Sequence, residues 1–438
     1  MDKSIRDLII IVVVCLFVVS VKILSDYRCN RLETEAQKKL SLLCEIKKEK
    51  IEAYFKGLIE EIKNIAQNTK TSTAMKEFKA AFKALDENSK NRDLDKEKGI
   101  LYLYYQDQFI RKLNFHLKEK LLVEDFIPQD SAGIILQNAY IAKNPHDANK
   151  KENLLNSHSA GEYDAVHQKY HPYFRDTLHK FKHYDIFLID KENGSIYYTV
   201  FKEIDFANNL NKTELRESNL AHLISASSDA VDPRITDFDF YDPSYAIPAS
   251  FIVVPINDAG NKIGFLAFQI PVDQINDIMT DDEKWAEDTL GKTGETYLVG
   301  SDMTMRSSSR MLIENKFAYI AMLEKSNANP MVIKNVREFN TTVLLQKVDT
   351  RSARAALKGE SGVVKTISYE GIPVLSAYMS LKIQDLNWAV IAEQSIEEIC
   401  RINYYLLFSI LLGIIGILML LFLAFFLYKR YYNRVKMK

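Results

Sequence analysis

The sequence predicts an α/β (α+β) chain. It has a long N-terminal helix, two tandem five-stranded antiparallel sheet units, and a transmembrane helix at either end. Three observations carry this prediction. Leu8–Leu24 and Tyr404–Leu427 are almost wholly apolar, and about 20 apolar residues suffice for a helix to cross a bilayer. Ile51, Phe55, Leu58, Ile62 and Ile65 recur at steps of four and three, the stripe of a helix with one covered face. From Tyr184 onward, β-branched and aromatic runs replace that stripe, punctuated by Gly, Asn, Asp and Pro, as strands and turns require.

The 438 residues carry a net charge of −1, so nothing in the charge points to nucleic acid as a partner. In the first apolar run Lys22 reaches toward the headgroups. No small-x-small cleavage site precedes Tyr27, so an uncleaved span is expected rather than a removed signal peptide. Lys429, Arg430, Arg434, Lys436 and Lys438 crowd the C-terminus with no acid among them. Positive residues stay cytoplasmic, which places both termini inside and residues 25–403 outside. The expected location is therefore the inner (plasma) membrane, with the lipid bilayer as a partner. The expected division is 1–7 cytoplasmic, 8–24 span, 25–134 helical stalk and 135–290 membrane-distal unit. There follow 291–395 as the membrane-proximal unit, 396–427 as linker and span, and 428–438 as a basic tail.

The four cysteines do not form a disulfide scaffold. Cys15 lies inside the first span, while Cys29, Cys44 and Cys400 fall near the membrane surface. A Cys29–Cys400 bridge, or one across a dimer, stays open.

Along the exported region, the apolar stripe either dimerises or packs on the later sheets, and a homodimer is expected. Lys70–Gln108 reads as helix with a break at Asn88–Asp93, and Pro128, Gly133, Pro145 and Asp147–Lys151 mark loops. Tyr163–Lys182 reads as a helix that Pro172 should kink or divide. Tyr184–Asp190 and Ser195–Phe201 form a strand pair, and Leu215–Ser225 a helix. Ala249–Ile256 and Lys262–Ile270 flank Asn257–Asn261 as a hairpin. Both faces of the first of these strands are apolar, so it belongs in the middle of its sheet. Asp273–Asp288 reads as a helix that closes the first unit. The second unit opens at Gly291, with Glu295–Gly300 and Met303–Arg306 as a hairpin. Ser361–Tyr369, Pro373–Leu381 and Trp388–Glu393 add three strands.

The stretch Asp237–Tyr245 packs carboxylates and rings into a loop leading to the central hairpin, where binding groups tend to sit. Asp237, Asp239, Tyr241 and Tyr245 are the first candidates, with Tyr198, Lys202 and Asp205 at the exit of the preceding strand. Aromatic walls with a few directed polar groups suit a small organic ligand, and paired carboxylates favour a cationic group on it. Two other constellations have blander readings. His167/His171 and His179/His183 are spaced to share a helix face and ligate a metal, but Pro172 separates the pairs and no cysteine is near. Arg306-Ser-Ser-Ser-Arg310 offers amides and guanidinium groups to an anion, and equally reads as a solvated turn. No Gly-x-Ser-x-Gly elbow or His-Glu-x-x-His is present, so no catalytic residue, metal or cofactor is expected.

The run of elements and several local segments resemble the double Cache (PAS-like) extracytoplasmic sensors of bacterial transmembrane receptors. The segments are Tyr140–Pro145 (YIAKNP), Tyr170–Leu178 (YHPYFRDTL), Tyr184–Asp190 (YDIFLID) and Val200–Phe206 (VFKEIDF). They continue through Gly291–Arg310 and Leu386–Glu393 (LNWAVIAE). The resemblance covers residues 135–400 and implies a small-molecule ligand in the distal unit, with the proximal unit relaying its state to the membrane helices. The amino-acid-binding branch carries Arg-x-Trp, whereas Arg175 is followed by Asp176 and Thr177, so that ligand class is not implied. The chain ends eleven residues after Leu427, leaving no room for an output domain. Signalling through a separate membrane or cytoplasmic partner is therefore expected. The rival expectations are an extracytoplasmic enzyme and a truncated or structural membrane protein.

Overall fold

The computed structural model describes residues 3–401 apart from 282 and 285–289, together with 413, 414, 416, 419, 425–427, 429 and 430. Helix α1, Lys3–Ala66, is followed by α2, Thr69–Glu87, whose first turn is capped by the Asn68 side chain accepting from Lys70 N at 2.8 Å. A short 3-10 turn at Asn88–Asn91 breaks the chain where expected, before α3, Leu94–Tyr104. Among the described residues no helix is long and apolar enough to cross a membrane. The second apolar run and the basic tail lie largely outside them, and so do the α1 side chains before Val19.

Two antiparallel sheets follow. The first comprises β1 (Asp185–Asp190), β2 (Ile196–Thr199), β3 (Arg234–Ile235), β4 (Asp239–Tyr241), β5 (Ile247–Asp258) and β6 (Asn261–Ile270), in the order β2-β1-β6-β5-β3 with β4 also on β5. The β5–β6 turn has Ala259 and Gly260 at φ of 48° and 83°, the two positive angles a tight hairpin of right-handed twist needs. The second sheet has β7 (Glu295–Gly300), β8 (Gly362–Ile367), β9 (Pro373–Ser380) and β10 (Trp388–Ser395), in the order β7-β10-β9-β8.

The counts are thus six and four rather than five and five. Part of the Asp237–Tyr245 loop is strand, because Asp239, Phe240 and Tyr241 pair with Ala249, Pro248 and Ile247. Met303–Arg306 makes only isolated bridges to Val299 and Lys347. Met303 turns back at φ 63°, and Arg306 is drawn off toward the first unit. The helix after β6 is Val272–Thr280, and Asp281 in the left-handed region closes it early.

The apolar stripe of α1 is covered within the chain. Ile51, Phe55, Leu58 and Ile62 all lie in one core with Ile252 and Leu266 of the first sheet and Val390 of the second. Phe55 meets Trp388 edge-on at 5.5 Å, and the Cys44 thiol donates to the Val390 carbonyl. Of the two alternatives for this stripe, packing on the later sheets is the one observed, since both sheets cover it within the chain. The long helix is a spine that both sheets share.

Helix α2 seals the first sheet against α4, Glu162–Phe181. Phe78 of α2 lies 5.3 Å from Tyr163 and 4.8 Å from Tyr198, ring centre to ring centre. Gly264 of β6 makes the close approach: a Cβ there would overlap the Met75 side chain and stand 2.8 Å from the Ile189 carbonyl. Met75 can yield but the strand carbonyl cannot. Gly264→Ala is expected to destabilise the fold by about 1–3 kcal/mol, read from its denaturant midpoint. An unchanged midpoint would show that the helix–sheet spacing is slack.

Candidate functional site

The strongest concentration of chemistry is a buried set of charges at one end of the first sheet. Past β2 the chain re-enters the protein, with Lys202 at φ 60° and Ala207 at φ 55°. Such backbone persists only where its surroundings enforce it. Here Lys202 N donates to Thr199 Oγ1 at 3.0 Å, and its Nζ donates to the carbonyls of Thr199 and Val200. The ammonium lies 5.2–5.7 Å from the ring centres of Tyr198, Phe206 and Tyr140, where the ring faces stabilise a cation.

Three carboxylates share this interior. Asp205 Oδ2 accepts from the Tyr241 hydroxyl at 2.8 Å. Glu203 accepts from Ser244 Oγ at 2.5 Å and from the Tyr184 hydroxyl at 3.2 Å. Asp185 Oδ1 accepts from the amides of Ile186, Val200 and Phe201 at 2.7–3.0 Å. Asp185 Oδ2 and Asp205 Oδ1 are buried and have no hydrogen-bond partner in the chain. Lys151 is buried beside them.

Desolvation dominates the titration of all five groups. It pushes Asp185 up to about 7, Glu203 to about 8 and Asp205 to about 6, helped for Asp185 and Glu203 by the charge of Asp205. It pulls Lys202 down to about 7 and lowers Lys151. An interior that resists ionisation while holding unpartnered carboxylate oxygens is poised to accept a positive group.

Of the residues singled out in the sequence, Tyr198, Lys202, Asp205 and Tyr241 come together here. Asp237, Asp239 and Tyr245 do not. Asp237 clamps the two units: it accepts from Arg306 Nε at 2.6 Å and Nη2 at 3.0 Å, and from the Trp388 indole at 2.9 Å. Asp239 is exposed and accepts from its neighbour Phe240 N. Tyr245 faces a separate cleft of about 620 Å³ with Lys112, Phe115 and Phe339. Asp185, Glu203 and Lys151 were not singled out. Only Glu203 carries a signal in the sequence: with Lys202 and Asp205 it makes a charged triplet set among Val200, Phe201, Ile204 and Phe206, a place where an unpaired charge is costly.

The other constellations make hydrogen bonds of their own, although His167 Nε2 and His183 Nδ1 are buried without one. His167 and His171 stack at 4.3 Å, the first on the Leu155 carbonyl and the second between the Tyr198 hydroxyl and the Glu152 carbonyl. His183 pairs with Glu61 at 2.7 Å. The amides of Ser308, Ser309 and Arg310 go to Asn276, Thr342 and Glu295, so that turn is closed to an anion. Cys29 and Cys400 are disulfide-bonded, with Cα atoms 4.8 Å apart.

No family model and no curated protein sequence matches the chain. Among solved structures it is similar to ligand-binding domains of bacterial chemoreceptors. One is that of Pseudomonas fluorescens CtaA in complex with L-isoleucine, with 9% identity, a TM-score of 0.37, 84% of this chain covered and 96% of that one. Another is that of Campylobacter jejuni Tlp3 in complex with 4-methylisoleucine, at 11%, 0.32, 78% and 98%. A third is that of Pseudomonas aeruginosa PctC in complex with GABA, at 13%, 0.29, 49% and 74%.

Proposed function

We propose that the chain is a membrane-anchored extracytoplasmic sensor. Its first unit binds a small organic molecule with a cationic group, and it signals through a separate partner. The observation that carries this reading is the buried cluster of Asp185, Glu203, Asp205, Lys151 and Lys202. Three acids face two bases there, and two carboxylate oxygens lack partners. A structural ion-pair network would close those oxygens on its own cations. Tyr198 and Tyr241 supply the aromatic walls. The shared spine α1 and the Asp237–Arg306 clamp give the first unit a rigid connection to the second. The Cys29–Cys400 bridge brings the segments leading to both apolar runs to one place, where a shift could leave the domain.

The test is a thermal-shift screen of the full-length protein in detergent micelles, with small amines and guanidines beside neutral and anionic analogues of the same shape. Ligand at 100 times its Kd adds about 2.7 kcal/mol of stability. At roughly 2–4 °C per kcal/mol for a unit of this size, a shift of several degrees is expected from a cationic compound. It should disappear in Asp205→Asn. Stabilisation by anionic compounds alone, or an undiminished shift in the variant, would refute the assignment.

A further inference from the structure

The cleft that Tyr245 faces is walled by both units. The first unit supplies the helix Arg111–His116 together with Tyr245 and Ile247 at the entry to β5, and the second supplies the end of the helix Pro330–Phe339. The last carbonyls of a helix have no partner within it, and here the second unit provides one for each of two. Lys334 Nζ donates to the Phe115 carbonyl at 2.6 Å, and Asn335 Nδ2 to the His116 carbonyl at 3.3 Å. Phe339 lies 4.4 Å from His116, ring centre to ring centre, and packs against core residues of both units. Tyr245 and Ala246 stand at φ 58° and 60°, backbone that persists where its surroundings enforce it and that gathers at ligand clamps.

The walls combine exposed apolar surface with unmatched positive charge. Phe115 is 46% exposed and Ile247 41%, and with Tyr245 and Phe339 they line one cleft. Large apolar groups left in water together mark an interaction site. Arg111 stands one turn before Phe115 and Lys112 one turn before His116, so cations and rings run side by side along the helix surface. The Lys112 ammonium lies 5.7 Å from the Tyr245 ring centre, and Lys334 sets a third positive charge over the Phe115 ring. Among the described residues neither the Arg111 guanidinium nor the Lys112 ammonium pairs with a carboxylate. Glu338 is the one acid among the described lining residues, and it is exposed. Desolvation holds His116 below its ordinary value, so near pH 7 it adds a ring and no charge.

We propose that this cleft between the units is a second ligand site, for an aromatic carboxylate. Its ring system lies against Phe115, Tyr245, Ile247 and Phe339, and its carboxylate meets Arg111 and Lys112. A guanidinium offers a carboxylate two parallel N–H donors, and Lys112 adds a second charge. The cleft volume of about 620 Å³ falls within the roughly 300–1,000 Å³ of small-molecule sites. A wholly polar anion such as phosphate leaves the apolar wall in water, and a cation meets two like charges. An occupant touches residues of both units, so binding reinforces the junction that Lys334 and Asn335 already make. The inference does not rest on the ligand assigned to the first unit.

The experiment titrates full-length protein in lipid nanodiscs, where no detergent competes for an apolar cleft, with sodium naphthylacetate, following the heat against empty discs. Sodium acetate and sodium phosphate at equal ionic strength are the controls. Saturable binding of naphthylacetate is expected, and it should persist in Asp205→Asn. Its Kd should rise at least tenfold when Arg111→Glu and Lys112→Glu are combined, and several-fold in Ile247→Asp. All three side chains are exposed, and Arg111→Gln with Lys112→Gln is the milder pair should charge reversal unsettle the fold. Four results would overturn the proposal. The first is no saturable binding, and the second is equal binding of acetate or phosphate. The third is binding lost in Asp205→Asn but kept in both charge pairs. The last is an oligomer that Ile247→Asp dissociates while naphthylacetate binding is unchanged, which would give the cleft to a second copy of the chain.

Discussion

Replacing Asp237 by Ala is expected to destabilise the protein by about 2–3 kcal/mol, although the residue lies in an irregular stretch and is partly exposed. Its carboxylate is the forked partner of Arg306, whose side chain is 3% exposed, and it also receives the Trp388 indole N–H. Removing one member of a buried pair costs roughly 3–5 kcal/mol. The expectation is smaller here because Asp302 still reaches Arg306 at 3.0 Å and Asp237 keeps 30% of its side chain in water. Trp388 loses its polar contact while staying stacked on Phe238 and edge-on to Phe55. Asp239→Ala, two residues away, should change stability by no more than about 0.5 kcal/mol, as exposed sites do. Urea unfolding followed by tryptophan fluorescence separates the two variants. Equal midpoints would mean that the clamp between the units is idle.

Reduction of the Cys29–Cys400 bridge is the second large effect. The bond closes a loop with a sequence separation of 371, and on the chain-entropy account cross-linking so long a loop stabilises by up to about 5 kcal/mol. Reductant, or Cys400→Ser, should lower the guanidinium midpoint and slow migration on a denaturing gel, since the unfolded chain becomes longer. In the folded protein Cys44 stays a free thiol, because burial pushes it up to about 12 and keeps it protonated. A soluble fragment intended to report native stability must begin before Cys29. Identical midpoints with and without reductant would show that the core alone holds the two ends together.

Much of the fold was legible because its elements are written locally. The steps of four and three along α1, the break at Asn88–Asp93 and the turn at Asn257–Asn261 each appear where the residues put them. What the stripe packs against was not legible. Covering by a second chain and covering by two sheets demand the same pattern of Ile, Phe and Leu. The site was legible in part for a similar reason. Lys202 and Asp205 stand out as charges in an apolar run, and Tyr241 as a ring beside acids. Asp237 presents the same local picture, yet its partners Arg306 and Trp388 lie 69 and 151 residues further on. Nothing local distinguishes a carboxylate awaiting a ligand from one already matched. Asp185 escaped notice because in Tyr184–Asp190 it reads as the polar end of a strand.

The central claim, that the first unit receives a cation into its carboxylate cluster, is tested most directly by counting protons. Asp185, Glu203 and Asp205 have raised values, so near neutral pH the unliganded cluster retains protons that the unfolded chain would have lost. An entering positive charge favours the ionised carboxylates and disfavours charge on Lys202, so every group moves toward losing a proton. Calorimetric titration of the stabilising cation at pH 7, in two buffers of different ionisation enthalpy, should therefore show net proton release. Affinity should rise as pH increases from about 6 to 8, the window those carboxyl groups define. Proton uptake, or heats independent of buffer with affinity flat across that window, would contradict the account.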